Sequence, residues 1–194
     1  MERENQRIAI TKRLLKESML RLMKQKDADK ISVTELCRDA GVNRATFYRH
    51  YEIPRDILGE IERDAYYAFR KRAGLPKSAA DIKPCMDRMF AFAEENIDLL
   101  RLLIQNKNDV DFAQFINDIY LEIWNEVKDY PVFRRFSTED MQLFALYSAG
   151  GSYFLLRHWV MGNIRKSAAE ISDYVYGLMQ KTDLQLLCGQ IGME

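Results

Sequence analysis

The chain is poor in residues that break helices, since its 194 residues include only four prolines and nine glycines. So few turn-forming residues favour long helices over many short strands. No segment offers about 18 uninterrupted apolar residues, so the sequence predicts no membrane span. The first residues interrupt their apolar positions with charge, which is unlike a secretory signal, and we expect a cytoplasmic protein.

Cysteine and histidine are also scarce, with three widely separated cysteines and two histidines. No CxxC pair is present, which argues against a disulfide framework and a zinc site, so we expect neither a metal nor a cofactor. The sequence contains no Ser/His/Asp or Cys/His constellation, phosphate-binding loop or dinucleotide fingerprint. We therefore do not expect an enzyme.

The formal net charge of zero hides an uneven distribution along the chain. Residues 1–72 contain 17 Lys or Arg against 12 Asp or Glu, whereas residues 73–194 contain 12 against 17. A basic front half on a neutral chain indicates that one end meets a polyanion. Chance asymmetry between two solvated surfaces is the alternative interpretation.

Apolar residues recur at helical spacing, and no alternating strand pattern or internal repeat is present. The pattern predicts an all-α fold of about nine helices, over residues 7–24, 33–40, 44–51, 54–72, 79–95, 97–105, 109–129, 138–162 and 168–187. On the first helix, one stripe is formed by Ile8, Leu15, Met19 and Leu22. Gly74 and Pro76 mark the clearest joint. We expect an N-terminal three-helix domain (1–52), a linking helix (53–76) and a C-terminal helical domain (77–194).

Two short helices behind a longer one are predicted to form the helix-turn-helix. Ser32-Val33-Thr34-Glu35 has the form of a capping box at the start of the first short helix. Gly41 suits a left-handed turn, and Asn43 suits the cap of the second short helix. Pro54 is placed to open the next helix. A plain packing module with a glycine turn is the alternative to DNA binding.

The second short helix offers donors and small side chains suited to a major groove. Arginine reads guanine with two hydrogen bonds, and Ala45 and Thr46 suit a thymine methyl. Tyr48 and His50 have the reach for phosphate oxygens, whereas Phe47 and Tyr51 are predicted as inward anchors. Including the first turn of the preceding helix, we predict DNA contacts from Ser32, Thr34, Arg44, Ala45, Thr46, Tyr48, Arg49 and His50.

The run ISVTELCRDAGVNRATFYRHY at residues 31–51 resembles the DNA-binding signature of TetR-family (tetracycline-repressor-like) regulators. The resemblance covers about residues 7–70, and AGGSYFLLRHWV at residues 149–160 is similar to the dimer-forming helix of one TetR subgroup. The resemblance implies a homodimer, a palindromic operator in double-stranded DNA, and a C-terminal domain that senses an unknown small molecule or a partner. Regulators of this family are usually repressors. Many members carry a phosphate-contacting lysine near the start of the fourth helix. Position 54 here is proline, and Arg55 is the candidate for that contact.

Residues 141–161 are apolar nearly all round, and a helix that is apolar on every face is buried on every face. We therefore expect residues 138–162 and 168–187 of two chains to form a four-helix dimer interface. A buried central helix in a monomer is the alternative. The predicted interface residues are Gly150, Gly151, Tyr153, Phe154, Arg157, Trp159, Val175 and Leu178.

Aromatic residues of the second domain are candidates for lining an effector cavity, namely Phe90, Phe112, Phe115, Trp124, Phe144 and Tyr147. Aromatic residues at helical spacing are more often core, which is the alternative. Cys37 lies on the apolar side of its helix, which favours packing over redox sensing.

The sequence thus predicts a ligand-responsive DNA-binding regulator. A helical co-regulator without DNA binding, acting by protein contact, is the second hypothesis, left open by Pro54 and the modest basic surplus.

Overall fold

The computed structural model describes residues 2–106, 117–118, 121–122, 125–126, 128–129 and 137–188. Every regular element in these ranges is helical. None of the helices found there is long and apolar enough to cross a membrane. The chain divides into two compact units, residues 1–68 and residues 69–194.

The first unit begins with a long helix, passes through a 3-10 turn and two short helices, and enters a fourth helix. The bounds are α1 Glu2–Met23, the 3-10 turn Ala28–Lys30, α2 Val33–Ala40, α3 Arg44–Tyr48 and α4 Pro54–Ala73. α1 packs on α2, where the buried Ser18 hydroxyl donates a hydrogen bond to the Leu36 carbonyl at 3.2 Å. The predicted order of helices is confirmed, although α3 ends at Tyr48 and is shorter than the predicted 44–51.

Apolar side chains from all four helices form the core of this unit. The buried residues include Leu15, Met19, Leu22, Leu36, Phe47, Ile57, Leu58 and Ile61. Ile8 was expected on the buried stripe of α1, but it is 36% exposed. The eight-residue α2 spans only about 12 Å, whereas the 22-residue α1 spans about 33 Å, so α2 covers only part of α1.

The second unit contains four further helices with described bounds, which are α5 Ala79–Glu95, α6 Ile97–Asn106, α7 Thr138–Val160 and α8 Ala168–Cys188. α5 packs along α8, and α6 contacts α7. The short stretches 117–118, 121–122 and 125–126 are helical, within the helix predicted for residues 109–129. Most of that predicted helix lies outside the described residues.

Side chains close the helix ends in the second unit. The Arg101 guanidinium donates through Nε and Nη2 to the Val160 carbonyl, at 3.2 and 3.0 Å, at the end of α7. The Glu94 carboxylate accepts a hydrogen bond from the Ala168 amide at 3.0 Å, at the start of α8. These bonds satisfy backbone groups that α-helical bonding leaves open. The core of this unit consists of the buried residues Ala93, Ile104, Tyr153, Trp159, Val160, Ala168 and Ile171.

Candidate nucleic-acid interface

Three local features set the turn between α2 and α3. The Ser32 hydroxyl accepts a hydrogen bond from the Glu35 amide at 3.2 Å and caps α2. Gly41 ends α2 with a φ of 67°, in the left-handed region that glycine adopts without a Cβ clash. The Asn43 Oδ1 accepts from the Thr46 amide at 2.7 Å and caps α3. The predicted capping roles of Ser32 and Asn43 are confirmed, and so is the turn at Gly41.

One side of α3 is anchored in the core. Phe47 is fully buried and Tyr51 is 6% exposed, which confirms both as inward anchors. The exposed Tyr48 ring stands edge-on against Phe47, with the ring centroids 5.3 Å apart. The other side presents the predicted DNA contacts, with Arg44, Ala45, Tyr48 and Arg49 exposed and Thr46 and His50 half-buried. The side chains suited to a major groove therefore share the solvent-facing side of α3.

The start of α2 also faces solvent. Ser32 and Thr34 are exposed, and the Ser32 hydroxyl oxygen is used by the cap, which leaves its proton as a donor. The Glu35 carboxylate accepts from Lys26 Nζ at 2.5 Å. That hydrogen bond is the main reason that the pKa of Glu35 is lowered. Lys26 thus offsets the charge of the Glu35 carboxylate at the start of α2.

Arg55 has a partner within the first unit. Its Nη1 lies 2.5 Å from Asp29 Oδ1, in an ion pair that joins the start of α4 to the 3-10 turn. The neighbouring Asp56 accepts hydrogen bonds from the amides of Glu52 and Ile53 at 2.8 and 2.9 Å. A DNA phosphate would therefore have to replace Asp29 as the partner of Arg55.

An open groove of about 690 Å³ lies beside the end of α3 and along α4. Its basic lining consists of Lys12, Arg49, His50, Arg55 and Arg63, and Tyr48, Glu52, Asp56 and Glu60 also line it. Among the described residues, no group of three or more His, Cys, Asp or Glu side chains is placed to hold a metal ion. The groove extends the polar surface of α3 onto α4.

A charged network, largely within the lining of this groove, joins α1, α4 and Tyr51. The Tyr51 hydroxyl donates to Glu60 Oε2 at 2.7 Å, and Lys12 Nζ lies 3.1 Å from the same oxygen. Lys16 Nζ lies 2.8 Å from Glu60 Oε1. Burial opposes the charged form of Glu60, but hydrogen bonds from Lys16, Tyr51 and Lys12 outweigh it and lower the pKa of Glu60 to about 2.

Sequence reasoning missed this network because its partners are far apart in the chain. Lys12 and Glu60 are separated by 48 positions, and neither belongs to the helix-turn-helix signature. Burial, followed by the hydrogen bond to Glu60, raises the pKa of Tyr51. The Tyr51 hydroxyl therefore stays protonated and continues to donate to Glu60.

The residues predicted to line an effector cavity do not share one environment. Phe90 is half-buried and packs edge-on against Trp159 in the core, with ring centroids 5.8 Å apart. Tyr147 is 76% exposed, which does not support its lining an enclosed site within this chain. Outside the described part of the structure lie Phe112, Phe115, Trp124 and the side chain of Phe144. The contact of Phe90 favours the alternative of core packing for that residue.

α7 is buried on one side and exposed on the other, so its own unit does not cover it on every side. Tyr153 and Trp159 are 2% and 4% exposed, so they are core residues, which corrects their placement in a subunit interface. The Trp159 indole donates to the Lys166 carbonyl at 2.7 Å, which satisfies its N–H inside the unit. Among the other predicted interface residues, Gly151, Phe154 and Leu178 are exposed, and Gly150, Arg157 and Val175 are half-buried.

Large apolar side chains occupy the exposed side of α7 and part of α8. We call them the apolar patch, and they are Leu143, Leu146, Tyr147, Phe154, Tyr174 and Leu178. The four on α7 follow helical spacing and form one stripe, with Gly150 between them. Soluble monomers rarely leave an apolar stripe of this kind, such as the one on α7, exposed to solvent.

Two cysteines lie in cores. Cys37 and Cys85 are 4% and 5% exposed. Burial raises the pKa of both thiols, which disfavours the reactive thiolate. The side chain of Cys188 is outside the described part of the structure.

Comparisons with known proteins point to transcription regulators. Residues 80–181 match the TetR C-terminal family described as "Transcriptional regulator C-terminal region". The uncharacterized HTH-type transcriptional regulator YxbF of Bacillus subtilis (strain 168) is 22% identical over 188 residues, which cover 91% of this chain and 46% of that protein. The chain thus spans about half the length of that curated relative.

Two solved structures are similar in fold. The dihydroxyacetone kinase operon activator DhaS has a TM-score of 0.59 at 15% identity, covering 90% of this chain and 96% of that one. The fatty acid degradation regulator FadR from Bacillus halodurans has a TM-score of 0.56 at 13% identity, covering 87% and 93%. At these identities the likeness shows the fold alone.

Proposed function

Because the chain belongs to the TetR family of transcriptional regulators, which is not a family of enzymes, we propose that it is a cytoplasmic, ligand-responsive repressor that binds a palindromic operator as a homodimer. The observation that carries the proposal is the geometry of α3. Phe47 is buried in the core, while Arg44 and Tyr48 on the same short helix, and Arg49 directly after it, face solvent. A recognition helix needs a buried anchor and exposed contact residues, because the contact residues must be held in place before DNA binds.

We assign base reading to the first turn of α3, because the N-terminal residues of a recognition helix meet the base edges. Arg44 is suited to two hydrogen bonds with guanine, and Ala45 and Thr46 are suited to a thymine methyl. Tyr48, Arg49 and His50 extend toward the backbone and contact phosphates, as do Ser32 and Thr34 at the start of α2.

Arg55 and the basic side chains of the groove beside α3 extend the phosphate-binding surface onto α4. The exposed Arg55 leaves Asp29 when a phosphate offers a charged oxygen in its place. Arg49, His50 and Arg63 line the same groove, next to the end of α3. Affinity that does not depend on sequence comes mainly from such contacts.

We propose that the apolar patch is the centre of the dimer interface. Two copies of α7 and α8 related by a two-fold axis would bury it and bring two α3 helices to opposite half-sites. Gly150 lies on the α7 stripe and Gly151 lies next to it in an exposed position, where small residues let helices approach closely. Arg157 and Val175, which are half-buried, lie at the edge of this interface.

We propose that the effector binds in the second unit, with Phe112, Phe115, Trp124 and Phe144 as candidate contacts, since Phe90 packs in the core and Tyr147 belongs to the apolar patch. Effector binding would favour a dimer in which the two α3 helices no longer match the half-site spacing of about one helical turn of DNA. A ligand shifts this equilibrium only as far as its affinities for the two forms differ.

A co-regulator without DNA binding is the second candidate function. Two observations favour it: position 54 is proline, and Arg55 is already paired with Asp29. Such a protein would keep the apolar patch and the dimer but would act through a protein partner. Salt-dependent DNA binding separates the two functions, because only phosphate contacts release counterions.

The experiment is a titration of the purified chain against genomic fragments at several salt concentrations, with sequencing of the bound fragments. Enrichment of a palindrome, with affinity that falls steeply as salt rises, is the expected result. A sample that is folded and dimeric but enriches no sequence would overturn DNA reading and favour the co-regulator.

A further inference from the structure

The position of α3 depends on side chains beyond its own end. α3 has only five residues, so its backbone alone gives little resistance to reorientation. Tyr51 follows the helix, its amide donates to the Phe47 carbonyl at 3.0 Å, and the two rings lie 5.9 Å apart. The Lys12 ammonium lies 5.4 Å from the centre of the Tyr51 ring. Whatever holds Tyr51 therefore also holds the C-terminal end of α3.

Glu60 accepts the hydrogen bond of the Tyr51 hydroxyl. It lies on α4, its side chain is 19% exposed, and both carboxylate oxygens are used. Oε2 accepts from the Tyr51 hydroxyl and Lys12, and Oε1 accepts from Lys16. All three partners are donors at neutral pH, so only an ionised carboxylate can satisfy them together. The lowered pKa of Glu60 agrees with this arrangement.

We infer that Glu60 is a positioning residue for DNA reading, which fixes the end of α3 against α1 and α4 by accepting hydrogen bonds from Tyr51, Lys12 and Lys16. The inference rests on the proposed function, since it concerns how α3 reads DNA. Glu60 itself touches no base or phosphate in this role. Its effect reaches the DNA through Tyr51 and the short helix that precedes it.

The physical consequence of removing the charge follows from the donors around Glu60. Glutamine keeps one oxygen, but its amide nitrogen must face either the Lys16 ammonium or the Lys12 ammonium beside Tyr51, and an ammonium cannot accept a hydrogen bond. In either orientation the network around Glu60 loses an acceptor, so fewer hydrogen bonds hold the end of α3. Bidentate contacts to base edges need exact geometry, whereas long basic side chains adapt to phosphates. Sequence discrimination should therefore suffer more than general DNA affinity.

Net charge alone predicts that Glu60→Gln binds DNA more tightly, which is the opposite change in operator affinity, so the experiment separates the two explanations. Removing a negative charge near DNA strengthens binding to any sequence. A loss of operator affinity in Glu60→Gln, with equal or tighter binding to shuffled DNA, therefore cannot come from net charge. Such a result would indicate that α3, the proposed recognition helix, is misplaced.

The test uses the full chain and two duplexes of equal length, a palindrome enriched by the wild type and a shuffled version of it. Glu60→Gln and Tyr51→Phe are each expected to lower the ratio of the two affinities about tenfold, the loss of roughly one good base contact. The matched control is Asp64→Asn, which removes the same charge from α4. Asp64 also binds Lys16, at 2.5 Å, and it is not the residue that Tyr51 contacts. The control should leave the ratio unchanged.

A double variant tests whether the two residues act through their shared hydrogen bond. Tyr51→Phe combined with Glu60→Gln should lose no more discrimination than the worse single variant, because the bond can be broken only once. Independent losses that add would overturn the inference. Should Glu60→Gln fail to fold, Tyr51→Phe carries the test, since it removes one oxygen from the chain.

Two further results would contradict the inference. One is a ratio in Glu60→Gln and Tyr51→Phe that stays within about twofold of the wild type. The other is an equal loss of affinity for both duplexes together with a lower melting temperature, which would indicate a purely structural role. A wild-type protein that binds both duplexes alike would instead overturn the proposed function and this inference with it.

Discussion

Replacing Asp29 with asparagine is expected to strengthen binding to DNA of any sequence, because it releases Arg55. The paired side chains are both exposed, Arg55 by 48% and Asp29 by 73%, and their charged atoms are 2.5 Å apart. Exposed ion pairs contribute about 0.2–1 kcal/mol. If a phosphate must first displace Asp29, freeing Arg55 should raise affinity roughly 1.4- to 5-fold. The gain should shrink as salt rises, since salt screens exposed charges.

Asp27→Asn is the matched control. Asp27 precedes the same 3-10 turn, is 70% exposed and pairs with Lys30 at 2.7 Å rather than with Arg55. Both variants remove one negative charge and release one basic side chain on the same surface, so a larger gain in Asp29→Asn reports on Arg55 rather than on net charge. The assay is a titration of a shuffled duplex at several salt concentrations. Adding Arg55→Met to Asp29→Asn should abolish the extra affinity.

Equal affinities of Asp29→Asn and Asp27→Asn would refute the reasoning. Both would then act through net charge, and Arg55 would be removed from the proposed DNA-binding residues. That outcome would leave the start of α4 without a replacement for the phosphate-contacting lysine. It would thereby favour the co-regulator.

Arg44→Ala is expected to weaken operator binding by about 1–3 kcal/mol and to relax base choice at one position. The control Arg13→Ala on α1 should change neither. Titrations with single-base operator variants measure both effects. Tyr48→Phe should weaken binding to operator and shuffled duplexes alike, and a loss confined to the operator would contradict a phosphate contact. Phe154→Glu places a charge in the apolar patch and should convert the dimer to a monomer in analytical ultracentrifugation, whereas Arg165→Glu, outside α7 and α8, should leave the dimer intact. Because the pKa of Glu60 is lowered from 4.5 to about 2, its contacts stabilise the fold fully above about pH 4.5 and are lost as pH falls toward 2. The melting temperature of Glu60→Gln should therefore fall less steeply than that of the wild type in this range.

The helix-turn-helix could be predicted in detail because its signals act locally. Ser32 caps α2 through an amide three residues ahead, and Asn43 caps α3 in the same way. Gly41 supplies the left-handed turn by itself. The length of α3 was harder to predict, since Tyr51 continues the apolar spacing of Phe47 although the helix ends at Tyr48. Spacing shows which side of a segment is apolar, but it does not show where the helix stops.

The sides of α7 could not be assigned from the sequence. Phe154 follows Tyr153 directly, and both are large and aromatic, yet one is 57% exposed and the other 2% exposed. Which of them enters the core depends on how the helix is rotated against its neighbours. A helix with apolar residues all round gives no internal sign of that rotation.

By itself, the sequence determined the described helices and the capped turn, because hydrogen bonds and spacing within about four residues carry those signals. The regulator family was indicated by the resemblance of residues 31–51 to its signature. Only the tertiary structure decided that Arg55 pairs with Asp29, 26 positions away, and that Glu60 joins Lys12, 48 positions away, to Tyr51. Such partners meet because helices pack in one relative position. The choice among many donors and acceptors of the same chemistry is then made by distance in space, which no local pattern records.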